Sequence, residues 1–134
     1  PTVLAAAGAR IPNDVPGLNL LENLRKKRPI KRSGIFGESL AHDIADIKKP
    51  EASLLFRWRI EGKWKLLLTY DGEVNRYQST HPRTEKRPQL FDLSKDPHEK
   101  TNLAKKHPEV VADLVAKIAA WWPVKERKVI TKYE

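Results

Sequence analysis

Glu38, His42, Asp43 and Asp46 fall close together after a short apolar run, and a carboxylate beside an imidazole can hold a metal ion or move a proton. His-Asp-x-x-Asp is also ordinary turn chemistry, in which short acidic side chains accept backbone N–H groups. The spacing alone assigns neither catalysis nor a metal site. His81, Arg83, His98 and His107 are scattered over turn-like segments and form no second cluster. The chain has no cysteine, which excludes disulfides, thiolate metal sites and cysteine nucleophiles from it.

The other chemistry on offer is electrostatic. A formal charge of +9 over 134 residues concentrates anions near the surface. Arg25-Lys26-Lys27-Arg28-Pro29-Ile30-Lys31-Arg32 is the densest basic run, and Lys125, Arg127, Lys128 and Lys132 make a weaker basic tail over 123–134. Arg57, Arg59, Lys63 and Lys65 add a third group, a candidate polyanion-binding face. Charge runs of this kind are usually solvated and inert. A reader of single-stranded nucleic acid also needs aromatic platforms beside the cations, and the aromatics here alternate into a sheet instead, which argues against nucleic acid.

Those residues must be positioned by few elements. Ser53 to Tyr70 reads as a hairpin: Leu54, Phe56, Trp58 and Ile60 alternate on one strand, and Trp64, Leu66, Leu68 and Tyr70 on the next, with Glu61-Gly62 as the turn. On this reading Arg57, Arg59, Lys63 and Lys65 share the opposite face. Ser33 to Ser39 fits another strand and Gln89 to Leu93 a fourth, stopped by the turn residues Ser94-Lys95-Asp96-Pro97. Pro108 suits a first helical turn, Glu109 complements the helix dipole, and Val110, Val111, Leu114, Val115, Ile118, Trp121 and Trp122 recur at helical steps until Pro123. The two tryptophans are expected to anchor that helix on the sheet. Thr2 to Ala7 reads as a small-residue helix, Leu18 to Leu24 as a short helix or turn, and Glu73 to Arg87 as a polar loop. The expected fold is α+β, an antiparallel sheet of about four strands packed against a long C-terminal helix, in a single domain over 1–134. No run of about 18 apolar residues is present, so no membrane span is expected. The lack of methionine, including at the first position, points to a chain that begins partway through a longer protein.

Gln89-Leu90-Phe91-Asp92-Leu93, followed by Asp96-Pro97-His98-Glu99 and Asn102-Leu103-Ala104, resembles the closing segment of formylglycine-dependent sulfatases of the alkaline phosphatase superfamily. Pro1-Thr2-Val3-Leu4-Ala5-Ala6-Ala7-Gly8 resembles the helix that follows the catalytic core in that family. Gly17-Leu18-Asn19-Leu20-Leu21, Ile35-Phe36-Gly37-Glu38 and Arg57-Trp58-Arg59 with Lys63-Trp64-Lys65-Leu66 follow in family order. Related phosphohydrolases and phosphonate hydrolases share parts of this tail.

The resemblance implies a parent enzyme that hydrolyses sulfate esters with a formylglycine nucleophile and a calcium ion. This chain carries neither cofactor by that reading. None of its serines fits Cys/Ser-x-Pro/Ala-x-Arg: Ser39 has Asp43 where arginine is required, and Ser79 has His81 where proline or alanine is required. No catalytic residue and no metal ligand is therefore expected in it. The resemblance implies instead a buttress for the catalytic domain of the same polypeptide and one wall of its substrate pocket. Glu38, His42 and Asp43 are the substrate-side candidates. It also implies an exported or periplasmic parent, a sulfated substrate, and self-association of the chain when its partner domain is missing. The alternative from another class is a free-standing basic binding module for nucleic acid or a sulfated glycan.

Overall fold

A computed structural model describes residues 1–41, 46–70, 85 and 87–124. Their contacts divide the chain into two compact units, residues 1–32 and 33–134. In the first, α1 (Thr2–Ala6) and α2 (Leu21–Arg25) are single helical turns with no buried residue. They are joined through Thr2, whose hydroxyl donates to Leu18 O at 3.2 Å and accepts from Leu20 N at 2.9 Å. The basic run that follows is exposed, and Glu22 pairs with Arg25 and Lys26 at its start.

The second unit carries the core. Strands β1 (Ile35–Leu40), β2 (Leu54–Glu61), β3 (Trp64–Thr69) and β4 (Gln89–Asp92) pair antiparallel in chain order, and helix α3 (Pro108–Trp121) lies on one face. The fold is thus the expected α+β layer. A short 3-10 turn, Pro50–Ser53, leads into β2. Val111, Leu114 and Ile118 of α3 bury against Leu66, Leu68 and Leu90 of the sheet, with Ala104 between, and Phe36, Trp64, Val110 and Val115 pack at the margin. A helix stripe at three- and four-residue steps meets strand positions at two-residue steps, which is the geometry that buries both.

The hairpin differs from the sequence reading in one respect with large consequences. Glu61 pairs with Trp64, so the two loop residues are Gly62 and Lys63, not Glu61 and Gly62. Gly62 takes φ 56°, the positive value a type II′ loop requires at its first position. Because opposed residues share a face, Arg57 and Arg59 stand beside Leu68 and Leu66 on the helix side. Phe56, Trp58 and Ile60 stand beside Thr69, Leu67 and Lys65 on the other. The four basic residues therefore do not form one face.

Trp58 lies flat across β1. A Cβ on its partner Gly37 would come within 2.1 Å of the indole, so only glycine permits this approach. The helical tryptophans do reach the sheet: Trp121 stacks on Phe36 at 4.8 Å and 9°, and Trp122 meets Trp121 edge-on. Trp121 nevertheless remains 40% exposed.

Candidate functional site

Arg57 and Arg59, offered by the sequence as anion-binding groups, are 3% and 4% exposed. Burying a guanidinium is costly unless its donors find partners, and in each arginine Nε and one Nη do. Arg57 donates through Nε to the Tyr70 hydroxyl, and through Nη1 to the carbonyls of Ile118, at 3.3 Å, and Trp122. Its plane also lies over the rings of Tyr70 and Trp122. The Ile118 carbonyl also accepts from Trp122 N at 3.2 Å, so Arg57 adds a second donor at the C-terminus of α3 and places positive charge at its negative end.

Arg59 reaches the same joint differently. Its Nε and Nη2 bind Glu61 Oε2 at 2.8 and 2.7 Å, and its guanidinium lies 4.2 Å from the Phe36 ring centre. Glu61 in turn accepts from Lys117 of α3 at 2.8 Å, and Lys117 also binds Asp113 at 2.7 Å. The hydrogen bond from Lys117, then that from Arg59, holds the Glu61 carboxyl below its usual range. The bond to Asp113, then that to Glu61, raises Lys117. A ladder of charges thus stitches β2 to α3.

The remaining two cations of that group are also occupied. Lys65 binds both oxygens of Glu99 at 2.6 and 2.8 Å, and Lys63 pairs with Asp92 at 3.0 Å. All four cations are thus engaged within the domain, the Lys63 side chain remaining 48% exposed in its pair.

The Asp-Leu and Asp-Pro-x-Glu-x-x-Asn-Leu-Ala segments are built for positioning. Asp92 is 4% exposed and accepts from Ser94 Oγ at 2.5 Å. The Ser94 hydroxyl first, then Lys63, brings its pKa down to about 2. Asp96 accepts from Thr101 N at 2.8 Å, and backbone N–H groups of Lys100 and Thr101 keep its carboxyl low. Glu99 adopts φ 56° and closes on Lys65. Asn102 accepts from Leu90 N at 3.1 Å and Ala104 N at 2.9 Å, and donates to Pro88 O at 3.1 Å, while Leu103 N donates to Leu90 O at 2.8 Å. The motif therefore seals the outer edge of β4. His98 lies in its turn.

Of the three substrate-side candidates, Glu38 is exposed on β1, opposite Arg57 in β2, and makes no hydrogen bond or ion pair among the described residues. His42 and Asp43 lie outside the described residues, as do His81, Arg83 and the tail from 125 onward. Among the described residues no three His, Cys, Asp or Glu side chains stand close enough to hold a metal ion. With no cysteine and no serine in the required motif the sequence does not fit a formylglycine, and among the described residues no donor set fits its calcium ion; no reaction step is assigned to this chain. No helix among the described residues is long and apolar enough to cross a membrane.

Comparison with known proteins gives this scaffold its relatives. No family model matches the chain. It is 43% identical over 56 residues, 41% of its length and 11% of the relative's, to an N-acetylgalactosamine-6-O-sulfatase of Bacteroides thetaiotaomicron. It is 29% and 30% identical over 120 residues to arylsulfatase K of Bos taurus and of Xenopus laevis, covering 88% of this chain and 20% of each relative. Among solved structures, a Bacteroides thetaiotaomicron protein from work on its metabolism of multiple glycosaminoglycans matches with TM-score 0.60 and 27% identity, over 90% of this chain and 23% of that one. A protein solved with its substrate D-glucosamine-2-N,6-O-disulfate matches in fold with TM-score 0.60 at 18% identity, over 90% of this chain and 22% of that one. The class is an α+β domain similar in sequence and fold to sulfatases. The chain is a homologue of the sulfatases over nearly its whole length, consistent with the C-terminal domain of such an enzyme, and it spans 11–20% of the length of these curated relatives.

Proposed function

We propose that this chain is the C-terminal domain of a sulfuric ester hydrolase, and that it buttresses the catalytic domain and forms part of the substrate-pocket wall. The observation that carries the reading is the joint match in sequence and fold to sulfatases over 88–90% of the chain. Formylglycine and calcium belong on this reading to the catalytic part of the parent, which would be exported and would act on a sulfated compound. The interior supports a scaffold role: the arginines that composition offers to an anion bind helix carbonyls and Glu61 instead.

Glu38, with His42 and Asp43 on the segment after β1, is the proposed contact to substrate. An exposed carboxylate without a partner is suited to accept hydrogen bonds from sugar hydroxyls or an amine. The test is to produce the longest polypeptide encoded in frame with this chain and assay hydrolysis of an aryl sulfate and of sulfated aminosugars. Activity in the long polypeptide and none in the 134-residue chain is expected. A Glu38→Gln variant of the long form should raise KM for the sulfated sugar with kcat little changed. Absence of any upstream Cys/Ser-x-Pro/Ala-x-Arg motif would sink the reading.

A further inference from the structure

The two edges of the sheet are treated differently. The β4 edge is closed by Leu103 N to Leu90 O at 2.8 Å and by the Asn102 carboxamide. The outer edge of β1 has no backbone partner among the described residues. Proteins usually blunt such an edge with lysine or proline, or cover it, because unpaired N–H and C=O groups recruit further strands. Ile35-Phe36-Gly37-Glu38-Ser39-Leu40 contains neither lysine nor proline, only one glutamate and a register shift at Ser39/Leu40.

The exposed apolar side chains of the second unit gather at the same place. Ile35 and Leu40, 38% and 44% exposed, lie on β1 itself, and Ile47, 83% exposed, lies in the connection that follows. Trp121, 40% exposed, stacks on Phe36 of β1. Among the described residues of this unit no other large apolar side chain is so exposed.

We infer that β1 is the docking edge for the catalytic part of the same polypeptide, which adds an extended segment to the sheet and covers Ile35, Leu40 and Trp121. Backbone pairing supplies the affinity of such an addition, and alternate side chains supply its register. This rests on the sulfatase reading, under which some four-fifths of the polypeptide lies outside this chain, since 20% of arylsulfatase K is matched. A tethered partner competes at an effective concentration on the order of millimolar, so it occupies the edge ahead of a second copy.

Hydrogen exchange resolved along the chain tests this, on the 134-residue chain alone and on the long polypeptide. Amides of β1 are expected to exchange as an open edge in the short chain and to gain about tenfold or more protection in the long one, with β3 amides little changed. An Ile35→Lys/Leu40→Lys pair in the long polypeptide should lose that gain. The same pair in the short chain should keep its far-ultraviolet circular dichroism, which separates lost docking from lost folding. Equal β1 exchange in both polypeptides overturns the inference even if the long one hydrolyses sulfate esters. Protection in the long polypeptide that appears only as its concentration rises also overturns it, in favour of a second copy. Protection gained in a long polypeptide without sulfatase activity upholds the docking edge while removing the enzymatic reading.

Discussion

The guanidinium of Arg57, on β2, donates to the carbonyl of Ile118, in the last turn of α3, at 3.3 Å. A cation rooted in the sheet thus serves as the cap of the helix. Together with the Arg59–Glu61–Lys117 ladder it fixes where α3 ends relative to β2, which apolar packing alone leaves free to slide.

Replacing Arg57 by methionine keeps much of the side-chain volume but removes the donor shared by the Ile118 and Trp122 carbonyls and the Tyr70 hydroxyl. The expected loss is about 1.5–3 kcal/mol of unfolding free energy. Arg57→Lys should fall between, because one ammonium cannot reproduce the planar fork. Urea denaturation at neutral pH reads both, as a lower midpoint at unchanged slope.

Asn102→Ala removes two acceptor bonds and one donor bond that close the β4 edge. A destabilisation of about 2–3 kcal/mol is expected. Asn102→Asp keeps both acceptor contacts and loses the donation to Pro88 O, so it should cost less. An Asn102→Ala variant as stable as the parent chain would show that water replaces the carboxamide.

Acid should weaken the domain through Asp92. Its pKa is about 2 in the folded state, below the unfolded value of about 4. Protons therefore bind the unfolded chain more tightly, and the stabilisation is complete above the unfolded pKa and lost as pH falls through the folded one. Denaturation midpoints followed from about pH 6 down to about pH 2 should fall, and Asp92→Asn should flatten that decline. Ser94→Ala should flatten it in part, since its hydroxyl is the leading cause of the shift.

Gly37→Ala places a methyl 2.1 Å from the Trp58 ring. The indole must turn away, at an expected cost of about 1–3 kcal/mol. In a double-mutant cycle with Trp58→Leu the two changes should couple by about 1 kcal/mol or more, the second relieving the first. Additive effects would mean that the close approach is not what fixes glycine at this position.

Much of this architecture is legible in the residues. Alternation marked all four strands to within two residues, and the stripe from Val110 to Ile118 between Pro108 and Pro123 marked α3. The hairpin faces were misread because a loop one residue later changes the opposed pairs, and the alternating arginines look like a solvent face. Nothing local distinguishes an arginine bound for water from one bound for helix carbonyls in a segment 61 residues away. Tyr70, Glu61 and Lys117 were missed for the same reason: their roles exist only once β2 and α3 meet. Asn102 did carry a signal, its place before Leu103-Ala104, though composition could not say that its amide would stand in for a strand. Of the candidate site, Glu38 is the one residue among those described, and its exposure agrees with a role at a surface without defining its ligand.

The long reach of Arg57 also bears on how the chain is made. Its acceptors at Ile118 and Trp122 leave the ribosome 61 and 65 residues after it does. Until then the hairpin holds a cation that cannot be buried without leaving donors unmet, so the sheet cannot complete its inner layer early. A chain ending before Ile118 lacks both acceptors and leaves that charge uncapped. The inner layer of the sheet is therefore completed only when the two ends of the domain meet.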